Sequence, residues 1–134
     1  MHHLHFNHWA ILVSALILWF LGALWYSPVL FARQWMALVG VKPDRGKSMV
    51  AGMIASFIGD ILMSLALAHV VLWSGADSFG LGALIGFIAW LGFFAAPNYP
   101  QSIYERRPFK LFAINNGYML VGLLIVGGLL AVWR

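Results

Sequence analysis

The chain has 134 residues, 63% of them hydrophobic and 9% charged, with a formal net charge of +4 and no cysteine. A soluble domain is nearer half apolar and a quarter charged, so this composition excludes a water-facing globule and, with it, a separate soluble catalytic domain. The absence of cysteine excludes disulfides, thiolate metal sites and cysteine nucleophiles, and at ~20 apolar residues per crossing the length fits one small bundle of membrane spans.

Ahead of the first apolar stretch lies a leader containing His2, His3, His5 and His8. Imidazole suits copper, nickel and zinc, which makes these four the candidate metal ligands of the sequence. A His-rich tract is only a compositional hint, and no carboxylate accompanies it. No metal and no cofactor is expected.

Four apolar stretches follow, over 9–26, 49–73, 79–96 and 111–133. Each reaches the ~17 residues that a crossing helix needs, and none shows the alternation of a membrane β-strand. The predicted fold is all-α, an integral membrane four-helix bundle forming a single domain over 1–134. The first stretch is read as a retained helix, because its leader lacks Lys and Arg and no small-residue cleavage site follows.

Span one ends in Trp25-Tyr26-Ser27-Pro28. Trp and Tyr favour the membrane interface, and Pro28 ends the regular helix. A nucleophilic Ser27 is rejected, because no histidine lies on its side of the membrane. Over 29–40, Phe31, Trp35 and Leu38 recur at helical spacing with Arg33 and Gln34 turned away. That pattern predicts a short amphipathic helix lying in the interface. A turn over 43–47 follows, and Ser48 is placed to cap span two.

Span two carries Asp60, about 11 residues past Met49 or roughly 16 Å, near the middle of a hydrocarbon core about 30 Å thick. An ionised carboxylate there is costly. Asp60 reads either as a proton or cation site or, as favoured here, as a neutral hydrogen-bonded carboxyl that fixes helix packing. His69, nine positions on at about 100° per residue, falls on the opposite helix face. Ser56 and Ser64 lie one turn to either side of Asp60, and with Gly52 and Ala68 they form a small-or-polar ridge of the kind that lets helices approach closely. Tyr118 of span four is the candidate partner by depth.

The turn Ser74–Ser78 joins spans two and three as an antiparallel hairpin. Span three carries Gly82 and Gly86 four residues apart. After it, Pro97, Pro100 and Pro108 surround Glu105-Arg106-Arg107, which reads as a stiff loop and an orientation signal in preference to a phosphate site. Span four opens with a polar cluster, Asn115, Asn116 and Tyr118, and continues through Gly122, Gly127 and Gly128. Asparagines inside a membrane helix need partners. The expectation is interhelical hydrogen bonding, with a solute-lined cavity shared with Asp60 as the alternative.

Seven of the eight cations fall in the first and third connections, at Arg33, Lys42, Arg45, Lys47, Arg106, Arg107 and Lys110. By the positive-inside rule the segments 27–48 and 97–110 are cytoplasmic and both termini lie outside a cell membrane. The basic balance therefore serves topology and anionic lipid, and nucleic acid is excluded as a partner.

Several segments share a further likeness. Gly22-Ala23-Leu24-Trp25-Tyr26-Ser27-Pro28, followed by Phe31 and Trp35, then Trp90-Leu91-Gly92-Phe93, then Glu105-Arg106-Arg107-Pro108 and Ile114-Asn115-Asn116-Gly117-Tyr118, resemble in order and spacing the signatures of the domain of unknown function 1761 family. The resemblance implies a small integral membrane protein of four helices and assigns it no activity.

Three functions fit these residues. The first is a structural or accessory membrane protein, acting through helix association as a homo-oligomer or as a subunit of a larger complex. The second is a small channel or proton-coupled carrier built around Asp60 in an oligomer. The third, an enzyme, ranks last, because no acid, base and nucleophile converge on one leaflet. The expectation is an accessory component without catalytic residues.

Overall fold

In a bilayer every backbone N–H and C=O must be satisfied within its own segment, so long apolar runs become helices. The structure, a computed structural model, describes residues 8–26, 32–39 and 47–133. It is all-helical among those residues. The elements are α1 (His8–Trp25), α2 (Ala32–Val39), α3 (Lys47–Ser74), α4 (Phe79–Trp90), a π-helical turn (Leu91–Ala95), α5 (Ala96–Tyr104) and α6 (Phe109–Val132). Four helical stretches are long and apolar enough to cross a membrane: His8–Trp25, Val50–Ser74, Phe79–Tyr104 and Phe109–Val132.

Two boundaries correct the sequence reading. Segment 97–110 is not a loop for most of its length, since the helix runs on to Tyr104. The Ala96 N–H bonds back to the Leu91 carbonyl, closing the wider π turn. Pro97 and Pro100 follow this turn within α5, and a π turn is one of the adjustments that lets a helix continue past residues lacking an N–H. In addition, α3 begins at Lys47, so Ser48 lies inside its first turn and does not precede it as a cap. A short helix stands where the amphipathic one was predicted, as α2, with Arg33 and Gln34 exposed and Trp35 half-buried against the bundle. Phe31 lies outside the described residues, as do Ser27 and Pro28.

The centre of the bundle is α6. One long side of it packs on α4, and other faces meet α1 and α3, while α1 pairs with α3. The fully buried Leu18, Val71, Leu123 and Val126 mark the core. The α3–α4 hairpin has the short turn that was predicted, closed by Gly75 at φ 76° and by the Ser78 hydroxyl accepting the Leu81 N–H at 3.2 Å. Its two arms nevertheless hardly touch. The reason lies in the glycines of α4. A Cβ on Gly82 would land on the Gly127 carbonyl, and one on Gly86 on the Leu123 carbonyl. Backbones at this distance leave no room for side chains, so α4 turns its small-residue face to α6 and away from α3.

Candidate functional site

The segments that carry the family resemblance are far apart in sequence and meet around the first half of α6. The Trp25 indole N–H donates to the Ile114 carbonyl at 2.8 Å, and the Trp90 indole N–H donates to the Asn116 carbonyl at 2.7 Å. Two neighbouring helices thus clamp one turn of α6 from opposite sides. The Tyr26 hydroxyl donates to Asn115 Oδ1 at 2.7 Å. The Tyr118 hydroxyl donates to the Leu18 carbonyl at 2.7 Å.

Two glycines make these contacts possible. A Cβ on Gly22 would sit 3.1 Å from the Tyr118 hydroxyl oxygen, and one on Gly117 would sit 3.4 Å from the Trp25 ring. The arrangement is reciprocal, a glycine of each helix seating an aromatic ring of the other. Tyr26 also meets Tyr118 edge-on at 6.0 Å and Trp35 of α2 at 5.7 Å. Asn116, 6% exposed, accepts from Asn98 Nδ2 at 3.0 Å and donates to the Phe112 carbonyl at 3.1 Å. The expectation that Asn115 and Asn116 bond between helices describes these contacts.

Beside this belt lies a cavity of about 540 Å³ between α2, the π turn, α5 and α6. Asn98, Asn115 and Asn116 line it, together with Trp35, Phe94, Phe112, Glu105 and Arg107. Phe94 belongs to the π turn itself, and Asn98 follows it by one helical turn. π turns inside α-helices recur at functional sites. At the rim, the chain leaves α5 through a paired cap. Arg106 N–H bonds to the Ile103 carbonyl and Arg107 N–H to the Ser102 carbonyl, both at 3.0 Å, with Arg106 in the left-handed region at φ 57°. That position ordinarily belongs to glycine. The turn brings Arg107 Nε to 3.8 Å from Glu105 Oε2, both side chains nearly half exposed.

Asp60 stands apart from the cavity. It is 6% exposed on α3, and the Tyr118 hydroxyl, its candidate partner, is committed to the Leu18 carbonyl. Among the described residues no hydrogen bond joins Asp60 to Tyr118. Ser64 is fully buried beside Asp60, whereas Ser56 and Gly52 face outward. The register of α1 on α3 is set by the Trp19 indole N–H, which donates to the Met53 carbonyl at 3.1 Å. Counting back along α1 from Trp19 places Ser14 level with Asp60. The hydroxyls of Ser14 and Ser64 are buried with no hydrogen-bond partner among the described residues.

Other motif residues are more peripheral. Gly92 and Phe93 of the π turn and Pro108 are exposed. Of the candidate metal ligands, His8 opens α1 in an exposed position, and His2, His3 and His5 lie outside the described residues. No group of three metal-ligating side chains forms among the described residues. Sequence reasoning did not single out Ser14, Asn98 or the Trp90 indole as a donor. The signal for Asn98 was its place between two prolines, read there as a loop.

No curated protein and no solved structure matches the chain. Residues 9–131 match the family described as a protein of unknown function, DUF1761. With nearly the whole chain matched, the protein belongs to the DUF1761 family.

Proposed function

We propose that the chain is a non-enzymatic accessory component of a membrane that works by associating through its outer helix faces, with a second copy of itself or with other membrane subunits. The observation that carries this reading is how unevenly the long helices are covered. Within the chain, 44% of the central stretch of Phe109–Val132 is buried, against 17% for Val50–Ser74 and 11% for Phe79–Tyr104. The remaining faces are apolar, with Ile54, Ile58, Leu62, Leu84, Ile88 and Phe93 all more than half exposed. Lipid covers such faces by default. Helix association in a bilayer needs small residues that admit a second backbone, and nothing lies within 4 Å of a Cβ at Gly52 or Gly59. Gly82 and Gly86, the close-packing pair of α4, are already occupied by α6, so the open glycines of α3 are the face assigned to assembly. The cations at Arg33, Arg106, Arg107 and Lys110 then face the cytoplasm and anionic lipid head groups, with both termini outside.

The test is the size of the particle purified in mild detergent. The expected result is a dimer or larger assembly that Gly52→Leu and Gly59→Leu reduce to single chains while leaving the helix content unchanged. A wild-type particle that is a single chain and carries no other protein would overturn the reading.

A second reading, a small proton-coupled carrier working in an oligomer, draws on Asp60 and on the buried hydroxyls of Ser14 and Ser64, which have no hydrogen-bond partner among the described residues. It requires a pH-driven flux in reconstituted vesicles that Asp60→Asn abolishes without unfolding the protein. The expected outcome is no flux that depends on Asp60, and the opposite result promotes the carrier.

A further inference from the structure

The cavity beside the α5–α6 turn has walls of two kinds. Trp35, Phe94, Leu111, Phe112 and Met119 supply aromatic and apolar surface, and the remaining lining is polar. Its volume of about 540 Å³ falls within the roughly 300–1,000 Å³ usual for small-ligand sites. The polar groups are graded by depth. Asn116 is 6% exposed, while the Glu105 and Arg107 side chains are 41% and 46% exposed. Inside, Asn115 gives its carbonyl oxygen to Tyr26, and its amide N–H groups have no protein acceptor among the described residues. They are oriented donors, held in place by a bond the ligand does not have to break.

The rim charges narrow the ligand further. Arg107 reaches Glu105 through Nε at 3.8 Å, which leaves the two terminal guanidinium nitrogens for an anionic oxygen, the geometry that suits phosphate. Glu105 stands beside it and would repel a ligand carrying only negative charge, just as Arg107 would repel a simple cation. A ligand carrying both signs a few ångströms apart satisfies both residues. The turn that sets this pair holds Arg106 at φ 57°, a conformation that disfavours a non-glycine residue, and Glu105 and Arg107 flank it on the same rim.

We propose that this cavity binds a zwitterionic head group, a primary ammonium joined to a phosphate, with Glu105 accepting from the ammonium, Arg107 and the Asn115 amide donating to the phosphate, and the aromatic walls holding the apolar part of an amphiphile. The same chemistry is offered by a phosphatidylethanolamine lipid and by soluble phosphoethanolamine.

The full-length chain in mild detergent is titrated with short-chain phosphatidylethanolamine, phosphatidylcholine and phosphatidylglycerol, with bound molecules counted by native mass spectrometry and affinity followed by tryptophan fluorescence. One phosphatidylethanolamine per chain is expected. Phosphatidylcholine, which has no ammonium N–H, and phosphatidylglycerol, which has no cation, should each bind about tenfold more weakly, the worth of one charged hydrogen bond. Glu105→Gln should remove the preference for ethanolamine over choline, Arg107→Gln should weaken all three lipids, and Lys110→Gln, outside the cavity, should change nothing. Displacement of the lipid by soluble phosphoethanolamine identifies the head group alone as sufficient. Binding of the lipid without such displacement identifies a membrane source. Equal binding of the three lipids, or an ethanolamine preference that survives Glu105→Gln, overturns the proposal. If a variant does not fold, the wild-type ranking of the three lipids decides alone.

Discussion

The two halves of α6 are held to their neighbours by different physics. From Gly122 onward the helix is packed by the absence of side chains, with Gly127 against Gly82, the Leu123 backbone against Gly86, and Gly128 under the ring of Phe79. From Phe112 to Tyr118 the same helix is held by indole, phenol and amide groups, each reaching across to a named partner. Close backbone packing gains many small dispersion contacts and tolerates no added atom. Hydrogen bonds keep the helices further apart and leave space between them. The cavity lies beside the hydrogen-bonded half for that reason.

This contrast ranks the consequences of substitution. The largest effect should come from Gly86→Leu, because the new side chain begins on the Leu123 carbonyl and the two backbones must separate. A loss of about 3 kcal/mol or more is expected, measured by unfolding in mixed micelles. Gly80→Leu on the same helix is the control. Nothing lies within 4 Å of a Cβ there, and stability should hold or rise slightly from the better helix propensity. Similar losses at both positions would remove the packing account of this half.

In the other half the expected effects are smaller. Asn116→Leu leaves the Asn98 amide without its acceptor and should cost about 1–2 kcal/mol, since hydrogen bonds between membrane helices measure well below their values in hydrocarbon. Trp90→Phe removes one indole N–H from a carbonyl on α6 while keeping most of the ring's bulk, and about 0.5 kcal/mol is expected. If either variant were more damaging than Gly86→Leu, hydrogen bonding rather than backbone proximity would dominate the whole bundle.

The spans, their all-helical character and the interfacial helix were legible in the sequence because each rests on a local pattern, the length of an apolar run or the spacing of Phe31, Trp35 and Leu38. The partners were not. A small-residue face at Gly82 and Gly86 shows that some backbone comes close, and the turn at Ser74–Ser78 pointed to α3, yet the space is taken by α6. Asn115 and Asn116 announced that they needed partners, but nothing in their own segment distinguishes Tyr26 from any other phenol. Pro97 and Pro100 were read as ending span three because they are incompatible with an uninterrupted α-helix. A π turn relieves that conflict by adding one residue to a single turn, and no periodicity of side chains reveals it. Ser14 was hidden differently, as a single hydroxyl in an apolar run that becomes notable only when its burial and its missing partner are seen.

A small effect of the opposite sign, a gain in stability, tests the rim of the cavity. Arg106 occupies the left-handed position of the cap that ends α5, and its Cβ there costs about 1–2 kcal/mol relative to glycine. Arg106→Gly removes that cost, while the added freedom of glycine in the unfolded chain takes back about 0.4–1 kcal/mol. The balance predicts a gain of about 0.5–1 kcal/mol. Arg107→Gly, one residue on, relieves no such strain and removes the contact to Glu105, so it should be neutral or slightly destabilising. The pair of variants separates backbone strain from charge. A stabilisation by Arg106→Gly without change in lipid preference would show that the left-handed conformation, and not the Arg106 side chain, sets the geometry of Glu105 and Arg107. A loss of stability in that variant would mean that its guanidinium makes contacts worth more than the strain it carries.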